Sequence, residues 1–414
     1  MRELQLNMKR TLIITAIVIV LAGLGVVAYF YFFQGTAGIT TAPSPTTSAN
    51  LPVAGQGTPP AGETAAPGEA PTATSEAPGV ATPVTARLVK ISAGPVVPGE
   101  VVVSRAANAS SSPEATVSFV ERQSGNVFTY STLTQTLVRT SNKTIPGIQS
   151  AQWSPNASTT FVRYLSGDDF STINTYALPA NGATGFFLPQ NLAGIDVSSA
   201  GILTLASGVN GSSVSVARPD GTHSSEVFTT PLSSVHASFA GKNQYLVYTK
   251  PSSTLDGDAF LVDSTGNFSR IAGPLPGLVA RASPSGKWVL VSYVLNNIMR
   301  MELIETATGN VLPLPVATIA DKCVWASNDA SVYCGVPMNP SAAFNYPDDW
   351  YQGAVHFSDR IWKVDTAGRY AQLVLDFTAE TKVSLDVESP AIDALRTALV
   401  FVNKNDGSLW SYSL

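Results

Sequence analysis

One short pattern recurs along most of this chain: a strand ends, a serine follows, one to three turn residues intervene, and a β-rich run begins. It stands as "SPEATVSFV" from Ser112, "SPNASTTFV" from Ser154, "SSAGILTL" from Ser198, "SFAGKNQYLVY" from Ser238, "SPSGKWVLVSY" from Ser283, "SNDASVYC" from Ser327 and "SPAIDALRTALVF" from Ser389. The spacings are 42, 44, 40, 45, 44 and 62 residues, and the long one contains an insertion. A second landmark, in "ARPDGT", "VDSTGNF", "IETATGNV" and "VDTAGRY", is a strand end running into a Gly-containing turn suited to a tight hairpin. Self-similarity at a fixed period constrains the fold more than any composition does, because each repeat must be one structural unit that buries its apolar faces against its neighbours.

Each unit reads as a meander of four short strands, and a period near 43 matches a β-propeller blade. Glu, Lys and Arg are scarce and only 13% of the 414 residues are charged, which favours strands and turns over helices. The expected architecture is therefore all-β, a seven-bladed propeller. The last unit stops after three strands at "GSLWSYSL". "RLVKISAGPVVPG", from residue 87, resembles the outer strands and linkers that precede other units, "LVRTSNKTIPG" and "FSRIAGPLPG". Pairing this first strand into the last blade would close the ring and remove two raw sheet edges.

The hairpin "WSPNAST", with the looser "ASPSGKW" and "WASNDAS", resembles the WD40-like or PD40 repeat of TolB-like β-propellers, from about residue 87 to the end. The resemblance implies a scaffold, a receptor or the propeller domain of a peptidase, since one fold hosts many functions. The chain departs from TolB in what precedes the propeller, so TolB's partners are not carried over.

Residues 11–33, "TLIITAIVIVLAGLGVVAYFYFF", carry no charge. As a helix they would extend about 35 Å, against a hydrocarbon core of roughly 30 Å. Arg2, Lys9 and Arg10 precede them and the next charge is Glu63, so residues 1–10 are expected in the cytoplasm and the remainder outside the cell membrane. This run exceeds the usual h-region of a cleaved signal, so a retained single-pass anchor in the lipid bilayer is expected. Residues 34–86 are dominated by Pro, Thr, Ala and Gly with little to bury, as in a disordered tether. Fully extended it would reach roughly 160 Å, and as a coil some 40 Å. A net charge of -5 without a basic run in the repeat region argues against nucleic acid.

Chemistry-bearing motifs are absent from the sequence. There is no G-x-S-x-G elbow, no H-E-x-x-H helix and no phosphate-binding loop. The three histidines, His223, His236 and His356, lack metal-ligand spacing, so neither a metal nor a cofactor is expected. His236, beside a repeat turn, reads as a structural histidine rather than a general base. In "KCVWASNDASVYCGV" the turn is centred between Asn328 and Asp329, which places Cys323 and Cys334 opposite each other. They form either a disulfide, permissible outside the cell, or a pair of small buried apolar groups.

The insertion, residues 338–361, falls between the second and third strands of the sixth unit, on the propeller face that also carries the links between blades. It holds Phe344, Tyr346, Trp350, Tyr351 and Phe357 among Asp348, Asp349, His356 and Asp359. These aromatics either form an exposed binding platform or pack down as a plug over the channel. The functional expectation is a binding or scaffolding module for an envelope protein, peptide or glycan. The alternative is a glycan- or peptide-active enzyme using Asp348, Asp349 or Asp359, for which facing carboxylates are required.

Overall fold

The structure is a computed structural model that describes residues 86–105, 114–367 and 370–414. The expected anchor, residues 11–33, and all of the expected tether, 34–86, but its last residue lie outside the described residues. Among the described residues, no helix is long and apolar enough to cross a membrane.

The described strands form seven four-stranded sheets, each antiparallel throughout. Six of them take four consecutive strands. The first strands of blades 1 to 6 are Val101–Arg105, Ile148–Trp153, Leu192–Ser198, Val235–Phe239, Val279–Ala282 and Cys323–Trp325. Blade 7 is made of Val387–Ile392, Ala398–Asn403 and Leu409–Ser413, and its outer strand is Leu88–Lys90 from the other end of the ring. Leu88 pairs with Tyr412, Val89 with Ser411 and Lys90 with Trp410. The Ile91 amide adds a bond to the Leu409 carbonyl at 2.8 Å, so the seam continues past the strand.

The recurrent serine has a local cause. The Ser154 hydroxyl accepts from the Thr159 amide at 3.0 Å, and the Ser283 hydroxyl accepts from the Trp288 amide at 3.1 Å, closing the hairpin between the first and second strands. In blade 7 this part is played by Asp393, whose Oδ1 accepts from the Ala398 amide at 2.7 Å. Ser389, assigned to that turn from sequence, instead lies inside the first strand at a bulge, with φ of 48°. A carboxylate stands where blades 2 and 5 use serine, and the nearest serine mimics it in the sequence.

Alternating apolar residues of adjacent blades make the core. Leu203, Val214 and Phe228 of blade 3 join Val247 and Val262 of blade 4, all buried. Leu88, Leu399 and Phe401 of blade 7 meet Ile361 and Leu375 of blade 6. Blades approach closely enough to require glycine: a Cβ on Gly99, at φ of 104°, would lie 1.9 Å from the Ala151 carbonyl oxygen. The first strands leave a central channel, and residues 338–358 leave blade 6 between Ser331–Pro337 and Asp359–Asp365 to reach over its mouth.

Candidate functional site: a strapped central channel

The insertion is held down across four blades. Asp348 opens a short helix, Asp348–Tyr351, and its Oδ2 accepts from the Ser253 amide at 2.8 Å and the Ser253 hydroxyl at 2.6 Å, on blade 4. Tyr346 packs over blade 5, where a Cβ on Gly277 would lie 2.9 Å from the Tyr346 carbonyl oxygen. Asp349 steadies the loop itself, its Oδ2 accepting from the Asn345 amide at 2.7 Å. Tyr351 turns to the channel and donates to Asp321 Oδ2 at 2.7 Å. Burial of that hydroxyl, and then the neighbouring carboxylate, push the tyrosine pKa well above its ordinary value.

Under the strap lies a group of fully buried charges joining blades 6 and 7. Lys322 Nζ is 2.9 Å from Asp359 Oδ2, contacts Asp386 Oδ1, and donates to the Val387 carbonyl at 2.9 Å. All three charged side chains are 0% exposed. The Trp350 indole N–H reaches both Asp386 oxygens at 3.2 and 3.1 Å, and the Phe357 amide donates to Asp386 Oδ2 at 3.0 Å. The ammonium also sits over the Trp350 and Phe357 rings, 4.8 and 4.9 Å from their centroids. One cation thus faces two carboxylates in a fully buried site. Burial, followed by the effect of Lys322, leaves the Asp359 pKa raised to about 6.

The insertion is accordingly a plug, and several surface assignments are corrected. Tyr346, Trp350 and Phe357 are 2%, 2% and 5% exposed, and Asp359 is wholly buried, so these residues are core rather than contact surface. Phe344 packs partly buried against the same core. Tyr351 and His356 keep exposed surface. The three acids considered for catalysis, Asp348, Asp349 and Asp359, are engaged as described, and none lines the channel cavity. Cys323 and Cys334 pair directly across the blade 6 hairpin and are disulfide-bonded.

The channel itself is where polar side chains converge. Its strapped end is a cavity of about 570 Å³ walled by every blade: Glu100, Gln152, Asp196, His236, Arg281, Asp321 and Glu388 come from blades 1 to 7 in order, with Trp350 and Tyr351 at the rim. It continues into a second space of about 390 Å³ that shares Gln152, Asp196, His236, Arg281 and Asp321. Asp196 accepts from the Val197 and Phe239 amides at 3.0 and 2.8 Å, linking blades 3 and 4. His236 stacks on Tyr248 with centroids 4.9 Å apart, and desolvation within the channel lowers its pKa. Glu100 is 7% exposed. Desolvation raises its carboxyl pKa to about 8, so it is mostly protonated at pH 7.

Of these wall residues only His236 stands out in the sequence by itself. Most of the others are polar residues within a short first strand, as in "IQSAQW", "LAGIDV", "VARA" and "VESPAI". Stacking the repeats on one another is the signal that picks them out. Asp321 and Glu100, just outside their strands, carry no such mark.

No protein-family model matches this chain, and no curated protein matches it in sequence. Solved structures do. Oligogalacturonate lyase from Vibrio parahaemolyticus superposes with a TM-score of 0.54 at 9% identity, covering 80% of this chain and 94% of that one. Oligogalacturonate lyase in complex with manganese gives 0.50 at 8% identity, over 77% and 98%. TolB from Acinetobacter baumannii is a looser match, 0.42 at 10% identity over 76% and 80%. At such identities the similarity concerns the fold: this chain carries a seven-bladed β-propeller.

Proposed function

We propose that this protein is a binding or scaffolding module, anchored in the cell membrane by residues 11–33 and presented outside it on the tether 34–86. Its partner is an envelope protein, a peptide or a glycan, and it makes contact at the strapped mouth of the channel. The observation that carries the reading is the cavity of about 570 Å³ to which all seven blades contribute. Converging polar groups in a concave site are the usual form of a ligand pocket. The buried aromatics of the insertion serve to hold that mouth in shape.

The test is a crosslinking pull-down from native membranes with the full chain, the channel variant Arg281→Glu and the outer-strand control Val311→Lys. Capture by the parent and the control but not by Arg281→Glu is the predicted result. Equal capture by all three would move the contact off the channel. Deleting the insertion is a poorer test, because it would uncover Lys322 and Asp386.

One observation favours a second reading as an enzyme. Glu100 and Glu388 both line the cavity, and repulsion from Glu388 adds to the burial that raises the Glu100 pKa. Unequal carboxyl groups in one cavity are the raw material of acid–base chemistry. Turnover of an oligosaccharide or peptide that disappears in Glu388→Gln would establish it; turnover unaffected by that change would remove it.

A further inference from the structure

We propose that Lys322 and Asp386 become joined by an intramolecular isopeptide bond, made with Asp359 as the proton relay, which locks blade 6 to blade 7. The proposal concerns the charged group under the strap and does not depend on what the channel binds.

Three observations carry it. The first is isolation: among the described residues this is the one lysine–carboxylate group in which every side chain is 0% exposed, whereas the next most buried pair, Lys404 and Glu388, is 15% and 23% exposed. The second is position. Lys322 Nζ touches Asp386 Oδ1, one C–O bond from Cγ, and reacting atoms held about 3–3.5 Å apart form a near-attack arrangement. The third is polarisation. The Trp350 indole and the Phe357 amide both donate to Asp386 Oδ2, at 3.1 and 3.0 Å, where negative charge develops when an amine adds to Cγ.

Asp359 supplies the proton transfer. Its Oδ2 lies 2.9 Å from Nζ, and burial raises its pKa to about 6, so it takes up a proton more readily than an ordinary aspartate. In the reaction the Nζ–Cγ bond forms and the Cγ–Oδ1 bond breaks. The ammonium sheds two protons, which pass one at a time through Asp359 and leave on Oδ1 as water. Asp359 ends as it began, and no outside reagent takes part.

Condensing a free amine with a free acid is unfavourable in water, but groups held in place act at effective concentrations of about 10⁵–10⁸ M. Two buried charges also become one neutral amide, which removes the desolvation penalty of both. The ion triad belongs to the form before the bond; in the linked form, of the three groups only Asp359 still ionises. The bond closes residues 322–386 into a covalent loop that contains the strap, beside the seam where Leu88–Lys90 completes blade 7.

The experiment is tandem mass spectrometry of the full-length chain, reduced and digested with trypsin after the folded protein has stood overnight. The predicted result, in nearly all of the parent, is a branched peptide joining Lys322 to Asp386, lighter than its two parts by one water and uncut after Lys322. Asp359→Asn, which keeps the side chain's shape, should leave the two peptides unlinked, with its fold checked by near-UV circular dichroism. Separate, unlinked peptides from the folded parent overturn the proposal, and so does a branch between Lys404 and Glu388 in its place. A branch as complete in folded Asp359→Asn as in the parent overturns the relay. The parent digest decides the bond whether or not that variant folds.

Discussion

Replacing Lys322 with methionine removes the one ammonium from a site that also buries Asp359 and Asp386, while keeping most of the side chain's volume. Two carboxylates are then left in a cavity that is 0% exposed. The two cannot both stay ionised side by side, so the folded variant must take up at least one proton that the unfolded chain does not hold. An aspartate with an unfolded pKa near 3.8 costs about 4 kcal/mol to keep protonated at pH 7, at roughly 1.4 kcal/mol per pH unit. This agrees with the roughly 3–5 kcal/mol typical of breaking a buried ion pair by removing one partner. In the variant the native state binds more protons than the unfolded one, so its deficit shrinks as pH falls toward 4 and grows as pH rises. Urea unfolding followed by circular dichroism and tryptophan fluorescence at pH 4.5, 6 and 7.5 measures this. A deficit below about 1 kcal/mol at pH 7.5, or one independent of pH, would refute the reasoning.

Other consequences concern the same architecture. Gly335→Ala places a Cβ 2.5 Å from the Val387 Cβ and 3.0 Å from Asp359 Oδ2, and should lower stability by about 1–3 kcal/mol in a thermal melt. Asp348→Ala removes both bonds to Ser253, and hydrogen exchange should accelerate across residues 338–358 while the blade 1 and 2 strands keep their protection. Leu88→Asp puts a carboxylate into the core between blades 6 and 7, so the blade 7 strands should become the first to exchange. Glu100 has a folded pKa raised from 4.5 to about 8, so the stability its protonated form contributes is complete below about 4.5 and lost as pH rises through about 8. Glu100→Gln should flatten that slope in melts from pH 5 to 9.

The ring was legible because each blade is specified locally. A turn such as Ser154 to Thr159 closes within six residues, so the hairpin recurs at a readable period even where its serine is replaced, and the period shows a strand missing from the last unit. The insertion was legible as an interruption of that period, but the packing of its aromatics was not. Trp350 is buried because Asp386, 36 residues on, receives its N–H. Lys322, in "ADKC", looks like any surface lysine until blades 6 and 7 close around it. Glu100 likewise becomes a channel residue only when seven first strands converge. Contacts between blades have no period in the sequence, and the site is made almost entirely of such contacts.

The most direct test of the channel as the binding surface is a photo-crosslinking amino acid placed at Ala193, on the cavity wall, and separately at Val311, on the exposed outer strand of blade 5. Irradiation of native membranes should yield a defined crosslinked product from position 193 and none from position 311. A product from 311 alone, or the same product from both, would contradict the account.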